Sequence, residues 1–188
     1  MIPDSPPTEI SITPLIQGSE FSDWKSLNDT IMGGSSLAKC RSSEKGLFLE
    51  GNLVEKGGGF VSCRSPIFDK PFDLSKYSGL ILDVEGEGRT LKFAIACEKK
   101  PLSLSNLLKG DIRWVASIPT KKNGVSSIKI PFKDLEPARR AKSVRLPISF
   151  DSTCINRFQL LHSKFGQLVL EMLPSTSRPA QSQLASSF

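Results

Sequence analysis

Asn28 and Asp29 stand just ahead of Met32-Gly33-Gly34. Short Asx side chains hydrogen-bond nearby backbone and close turns. Paired glycines take conformations barred to other residues. The segment reads as a rigid loop after a first strand, or as a loop that presents Asp29 and Met32 to a partner. Two arginines raise a different question. Arg64 shares a face with Phe60 and Ser62 if its strand is regular, and Arg89 follows the turn Gly86-Glu87-Gly88. A buried or groove-facing guanidinium needs an acceptor, because an unpaired buried charge is costly. For Arg64 the expectation is an internal pair with Asp29 or Asp83. The alternative is a clamp for an anion or an acidic peptide.

The strongest electrostatic feature runs from Pro137 to Arg145, where Arg139, Arg140, Lys142 and Arg145 meet no acid. It reads as a loop, either merely solvated or docking to an acidic protein or anionic headgroups. Nucleic acid is disfavoured, since no aromatic residue interleaves with these cations as a stacking platform would require.

Other chemistries find no residues to carry them. Gly57-Gly58-Gly59 is followed by Phe60-Val61 rather than the Lys and Ser/Thr of a phosphate loop. Gly86 and Gly88 lack the third glycine and the helix of a dinucleotide fingerprint. The single histidine, His162, sits in a strand-like stretch with no nucleophile elbow anywhere, and reads as structural. No pair of carboxylates is singled out for glycoside hydrolysis. The chain is therefore read as non-enzymatic. Cys40, Cys63, Cys97 and Cys154 include no CxxC spacing. A zinc site is disfavoured, the cysteines are expected to be reduced and mostly buried, and neither metal nor organic cofactor is expected. Calcium held by loop oxygens would leave no spacing signature.

The elements that position these residues are strands. Large apolar residues alternate in 91–97, 112–118 and 125–132, the period of a sheet with one buried face. Leu80–Val84 and Gln167–Met172 are further strands, apolar on both sides. Glycine-rich turns punctuate them, and Asn123-Gly124 predicts a tight hairpin or short loop. No helical period is sustained. Many short strands with frequent turns predict an all-β, antiparallel sandwich or barrel. Residues 1–19 read as an extended N-terminal arm, 20–173 as one domain, and 174–188 as a disordered C-terminal tail.

The chain has 188 residues, 38% of them hydrophobic and 23% charged, with net charge +6. That is an ordinary globular balance, and the basic excess fits an acidic or anionic partner without specifying one. The first residues, Met1-Ile2-Pro3-Asp4, show no signal peptide or Arg-rich transit pattern, and no apolar run reaches the ~20 residues of a spanning helix. The expected location is cytoplasmic or peripheral to a membrane.

Four segments, taken in order, resemble the complex I intermediate-associated protein 30 family: Trp24 through Asn28-Asp29 to Met32-Gly33-Gly34; Phe48 and Gly51 with Gly57-Gly58-Gly59-Phe60-Val61-Ser62-Cys63-Arg64; Leu74 to Leu80 with Gly86-Glu87-Gly88-Arg89; and Ile130-Pro131-Phe132-Lys133-Asp134-Leu135. The resemblance spans about residues 20–172. It departs where Glu87 replaces the usual Asp, where Leu91 replaces Tyr, and where Val125-Ser126-Ser127 lack an aromatic residue. It implies a galactose-binding-like jelly roll, and a non-catalytic assembly factor or chaperone-like protein that binds subunits or intermediates of a respiratory or photosynthetic membrane complex. A carbohydrate-binding module is the alternative that the fold implies. Aromatic platforms for sugar are scarce, with two Trp and one Tyr.

Overall fold

A computed structural model describes residues 14–54, 59–98, 112–139, 142–144, 148–163, 166–172 and 180–181. Among the described residues thirteen strands form and there is no α-helix, only short 3-10 turns. One layer is a seven-stranded antiparallel sheet. Its order is β1 (Lys25–Asn28), β4 (Val61–Arg64), β11 (Ile155–His162), β6 (Thr90–Cys97), β7 (Arg113–Pro119), β9 (Glu136–Arg139) and β10 (Lys142–Ser143). The other strands make two three-stranded sheets. The first holds β12 (Gly166–Met172), β3 (Gly46–Leu53) and β2 (Leu37–Ser43); the second holds β13 (Ala180–Gln181), β5 (Tyr77–Val84) and β8 (Ser126–Pro131).

Period-two sequence explains the layers. Along β6, Leu91, Phe93 and Ile95 are buried, and along β11 so are Ile155, Phe158 and Leu160. From the opposing sheets come Leu47 and Leu49 of β3, Leu80, Leu82 and Val84 of β5, and Ile130 of β8. These form one continuous core, and its burial supplies the main drive for folding. Phe158 lies at the centre of an aromatic group, with ring centroids 5.6 Å from both Phe68 and Phe93. Ile16 and Phe21 also reach the core, so chain ahead of β1 is packed against the sandwich.

Several sequence expectations change. Asn123-Gly124 does close a short loop, with Gly124 at φ +73, but it is no hairpin. It links β7 in one sheet to β8 in another. Turn residues specify local direction and leave pairing to the core. The 139–145 run is not simply a loop: Arg139 ends β9 and Lys142 begins β10, paired with each other across the sheet edge. Arg140 and Arg145 lie outside the described residues. Within the segment read as a tail, Ala180–Gln181 pairs with β5; residues 173–179 and 182–188 are outside the described set.

The cysteine expectation is corrected as well. Cys40 on β2 and Cys63 on β4 are joined in a disulfide, with Cα atoms 5.8 Å apart, while Cys97 and Cys154 are thiols outside any disulfide. The two bonded residues are 23 apart in sequence, and only the crossing of the sheets brings them together. Alkylation of denatured, unreduced protein should therefore label Cys97 and Cys154 and spare Cys40 and Cys63. Peptide mapping that finds all four labelled would contradict the crosslink.

Candidate functional site

At one end of the sandwich, β1 runs into a 3-10 turn over Asp29–Met32. Gly33 ends the turn at φ +84, and its amide donates to Thr30 O at 3.2 Å. That left-handed geometry suits glycine. Asp29 is fully buried. Its Oδ1 accepts from the Ser36 amide at 2.8 Å, and its Oδ2 from Ser36 Oγ at 2.6 Å and the Gly59 amide at 2.6 Å. Ser36 Oγ in turn accepts from the Val54 amide at 2.8 Å. One carboxylate thus ties together the turn, the start of β2, the end of β3 and the approach to β4. Gly34 packs so tightly against it that a Cβ there would fall 2.2 Å from Asp29 Cγ.

Burial works against the charge of Asp29. The Ser36 hydroxyl and the amides of Gly59, Ser36 and Phe60 outweigh it and hold the carboxyl below its ordinary value. The residue is a charged structural staple, and the functional consequence lies in what it holds up. Ile31, Met32 and Leu37 are each about two-thirds exposed, and Val54 is also exposed. All four sit on segments fastened to this carboxylate. Asn28 completes the junction, with Nδ2 donating to Ala38 O at 3.0 Å.

The remaining sequence-based candidates do not converge here. Arg64 does not pair with Asp29 or Asp83. The Asp29 carboxylate is filled by backbone and Ser36 donors, and Asp83 lies on β5 in the other layer. Arg64 instead points to the outer side of the seven-stranded sheet, the side of Ser62 rather than of buried Cys63. Arg89 braces its own turn: Nη1 meets Glu87 Oε2 at 2.5 Å and Gly86 O at 3.4 Å. The glutamate that replaces the family aspartate has a local use. Arg139 and Lys142 mark the far edge of the same sheet. His162 is buried in β11, as a structural residue would be.

Sequence reading missed the company Arg64 keeps. Lys25, Gln159, Lys92, Arg113 and Arg157 occupy the same outer face, by register. Arg113 Nη1 donates to Gln159 Oε1 at 3.4 Å, Gln159 Nε2 to Ser62 Oγ at 3.0 Å, and Ser62 Oγ to Leu27 O at 2.7 Å. The signal was the other half of the alternation, cations set between the apolar residues. A cavity of about 390 Å³ beside Lys92 is walled by Ser117, Lys129, Asp134 and Glu136. Among the described residues, no group of acids, histidines and cysteines could hold a metal ion, and no helix is long and apolar enough to cross a membrane.

A family model, complex I intermediate-associated protein 30, matches residues 15–172. Comparison with curated proteins finds no match. Among solved structures, the chain is similar to the family 11 carbohydrate-binding module of the cellulosomal cellulase Lic26A-Cel5E of Clostridium thermocellum. That similarity has a TM-score of 0.60 and 18% identity, over 89% of this chain and 95% of that one. A Clostridium thermocellum family 11 module in complex with a β-1,3-1,4-mixed-linked tetrasaccharide gives a TM-score of 0.55 at 18% identity, over 81% and 88% of the two chains. The agarase AgWH50C gives 0.55 at 12% identity, over 89% of this chain and 25% of that one. At such identities the likeness is one of fold, and it makes the antiparallel sandwich a jelly roll of this type.

Because the carboxyl of Asp29 titrates below its ordinary value of 3.8, its stabilisation is complete above that pH. It is lost as pH falls through the lowered folded value. Asp29→Asn should flatten that acid limb of the stability profile. At neutral pH it should lower the thermal midpoint by roughly 5 °C or more, since buried amides lose their acceptor. Unchanged midpoints from pH 7 to pH 2 in both proteins would contradict the staple.

Proposed function

This chain belongs to the complex I intermediate-associated protein 30 family, and we propose that it acts without catalysis, as an assembly factor for a respiratory or photosynthetic membrane complex. In this reading it holds a partly built complex by surface complementarity and contacts it from the aqueous side of the membrane. The observation that carries the reading is the turn built on Asp29. Ile31 and Met32 stand in water on backbone that a buried carboxylate makes rigid, flanked by Leu37 and Val54. Exposed apolar groups gathered in one place mark interaction surfaces, and a rigid one loses less entropy when it binds.

The jelly-roll likeness keeps a carbohydrate-binding module as the second reading. Aromatic placement weakens it: Trp24 and Trp114 are buried, so neither offers a ring face to a sugar.

Replacing both Ile31 and Met32 with Ser should leave the thermal midpoint within about 2 °C, because exposed side chains contribute little to folding. It should also deplete the subunits that co-purify with tagged protein from solubilised membranes. Undiminished recovery would remove the turn from the interface. Recovery of no membrane-complex subunit even by the parent, together with retention of parent on a mixed-linkage glucan column, would favour the sugar reading.

A further inference from the structure

The outer face of the seven-stranded sheet carries a charge arrangement that folding alone does not explain. A single cross-strand row runs Lys25, Arg64, Gln159, Ala94, Val115, Glu136. Lys25 and Arg64 are direct partners on β1 and β4. Like charges placed so, with Cβ atoms ~4.5–5.5 Å apart, repel and cost stability. Arg64 is half-buried, and among the described residues it has no carboxylate and no hydrogen-bond partner. Its other neighbour, Gln159, already spends its amide on Ser62 and its carbonyl oxygen on Arg113. Lys92 adds an exposed cation two residues along β6 from Ala94. The one carboxylate among the strand residues of this face is Glu136, at the opposite end of the row from Lys25.

We infer that this face binds an acidic polypeptide segment in extended form, its carboxylates set against Lys25, Arg64 and Lys92. Charge complementarity makes the argument. A carboxylate placed between Lys25 and Arg64 removes their repulsion and gives the guanidinium a two-pronged acceptor. Spacing then favours a chain over a small anion. Arg64 and Lys92 are two strands and two residues apart, roughly 12 Å by sheet geometry. Acidic residues four apart in an extended chain span about that distance. Nucleic acid fits less well, because the strand residues of this face include no aromatic ring on which bases could stack. The face is distinct from the Ile31–Met32 turn, and its chemistry does not depend on which complex that turn engages.

The test uses the full chain and a fluorescein-labelled octapeptide of alternating Ser and Glu, at low ionic strength. Fluorescence anisotropy should show binding that weakens as salt rises. Lys25→Gln with Arg64→Gln should weaken it about tenfold, and Lys92→Gln alone should weaken it less. Lys45→Gln with Lys122→Gln removes the same charge from exposed positions off this face, and should change affinity by less than about twofold. The thermal midpoint supplies a second reading. The Lys25/Arg64 variant should melt at or above the parent temperature, because the repulsion is gone; a merely structural arginine would lower it. Equal weakening by both double variants, or no binding by the parent, overturns the proposal. A labelled oligouridylate that binds tighter than the peptide and loses affinity on the same substitutions would overturn the polypeptide assignment in favour of RNA. Capture by phosphatidylglycerol vesicles with the same dependence would do so in favour of a lipid surface.

Discussion

A carboxylate with no access to water must be surrounded by donors or give up its charge. Asp29 takes the first course, and the price is set on four separate pieces of chain. The turn after β1, the start of β2 and the approach to β4 must arrive within hydrogen-bond range of one another at this side chain, and the end of β3 joins them through the Ser36 hydroxyl. The network has no freedom to shift by an ångström without orphaning a buried amide. Gly34 records the same constraint from outside, since any larger residue would collide with the carboxylate. The apolar side chains borne on these segments are therefore displayed in fixed positions, whatever the solvent would prefer.

The rest of the sandwich supplies the frame. The inner strands of the seven-stranded sheet, β4, β11, β6 and β7, present apolar side chains inward, and the opposing sheets meet them with their own. The Cys40–Cys63 bond links β2 to β4, two of the strands that Asp29 anchors. On the outer side of the seven-stranded sheet the same alternation sets polar and cationic groups in ordered rows. One set of strands thus fixes both the hidden core and the chemistry of an open surface.

Much of this was legible in the chain itself. The alternation in Leu91–Cys97 marked β6 to within a residue, and that in 112–118 puts Trp114 on the side that the structure buries. The ordered segments around Asn28-Asp29, Gly57–Arg64 and Ile130–Leu135 carried the family. What escaped was everything set by strand partners far apart in sequence. Cys40 and Cys63 look like two ordinary buried thiols until β2 and β4 meet. Arg64 looked for an acid inside the core because its direction depends on which side of β4 faces inward. Asn123-Gly124 left a hairpin and a short loop both open, because local turn chemistry is blind to whether the next strand returns to its own sheet or crosses to the other. The surface at Ile31 and Met32 was half visible: the loop could be read, its anchoring carboxylate could not.

In the proposed function, the Asp29-anchored turn is the surface that meets a membrane-complex partner. A photoreactive benzoylphenylalanine placed at Met32, irradiated in solubilised membranes, tests this directly when compared with the same group at exposed Lys122. The expected result is a crosslink from position 32 to a defined subunit of a membrane complex, and none to that subunit from position 122. The same products from both positions, or no such crosslink from position 32 while the complex still co-purifies, would contradict it.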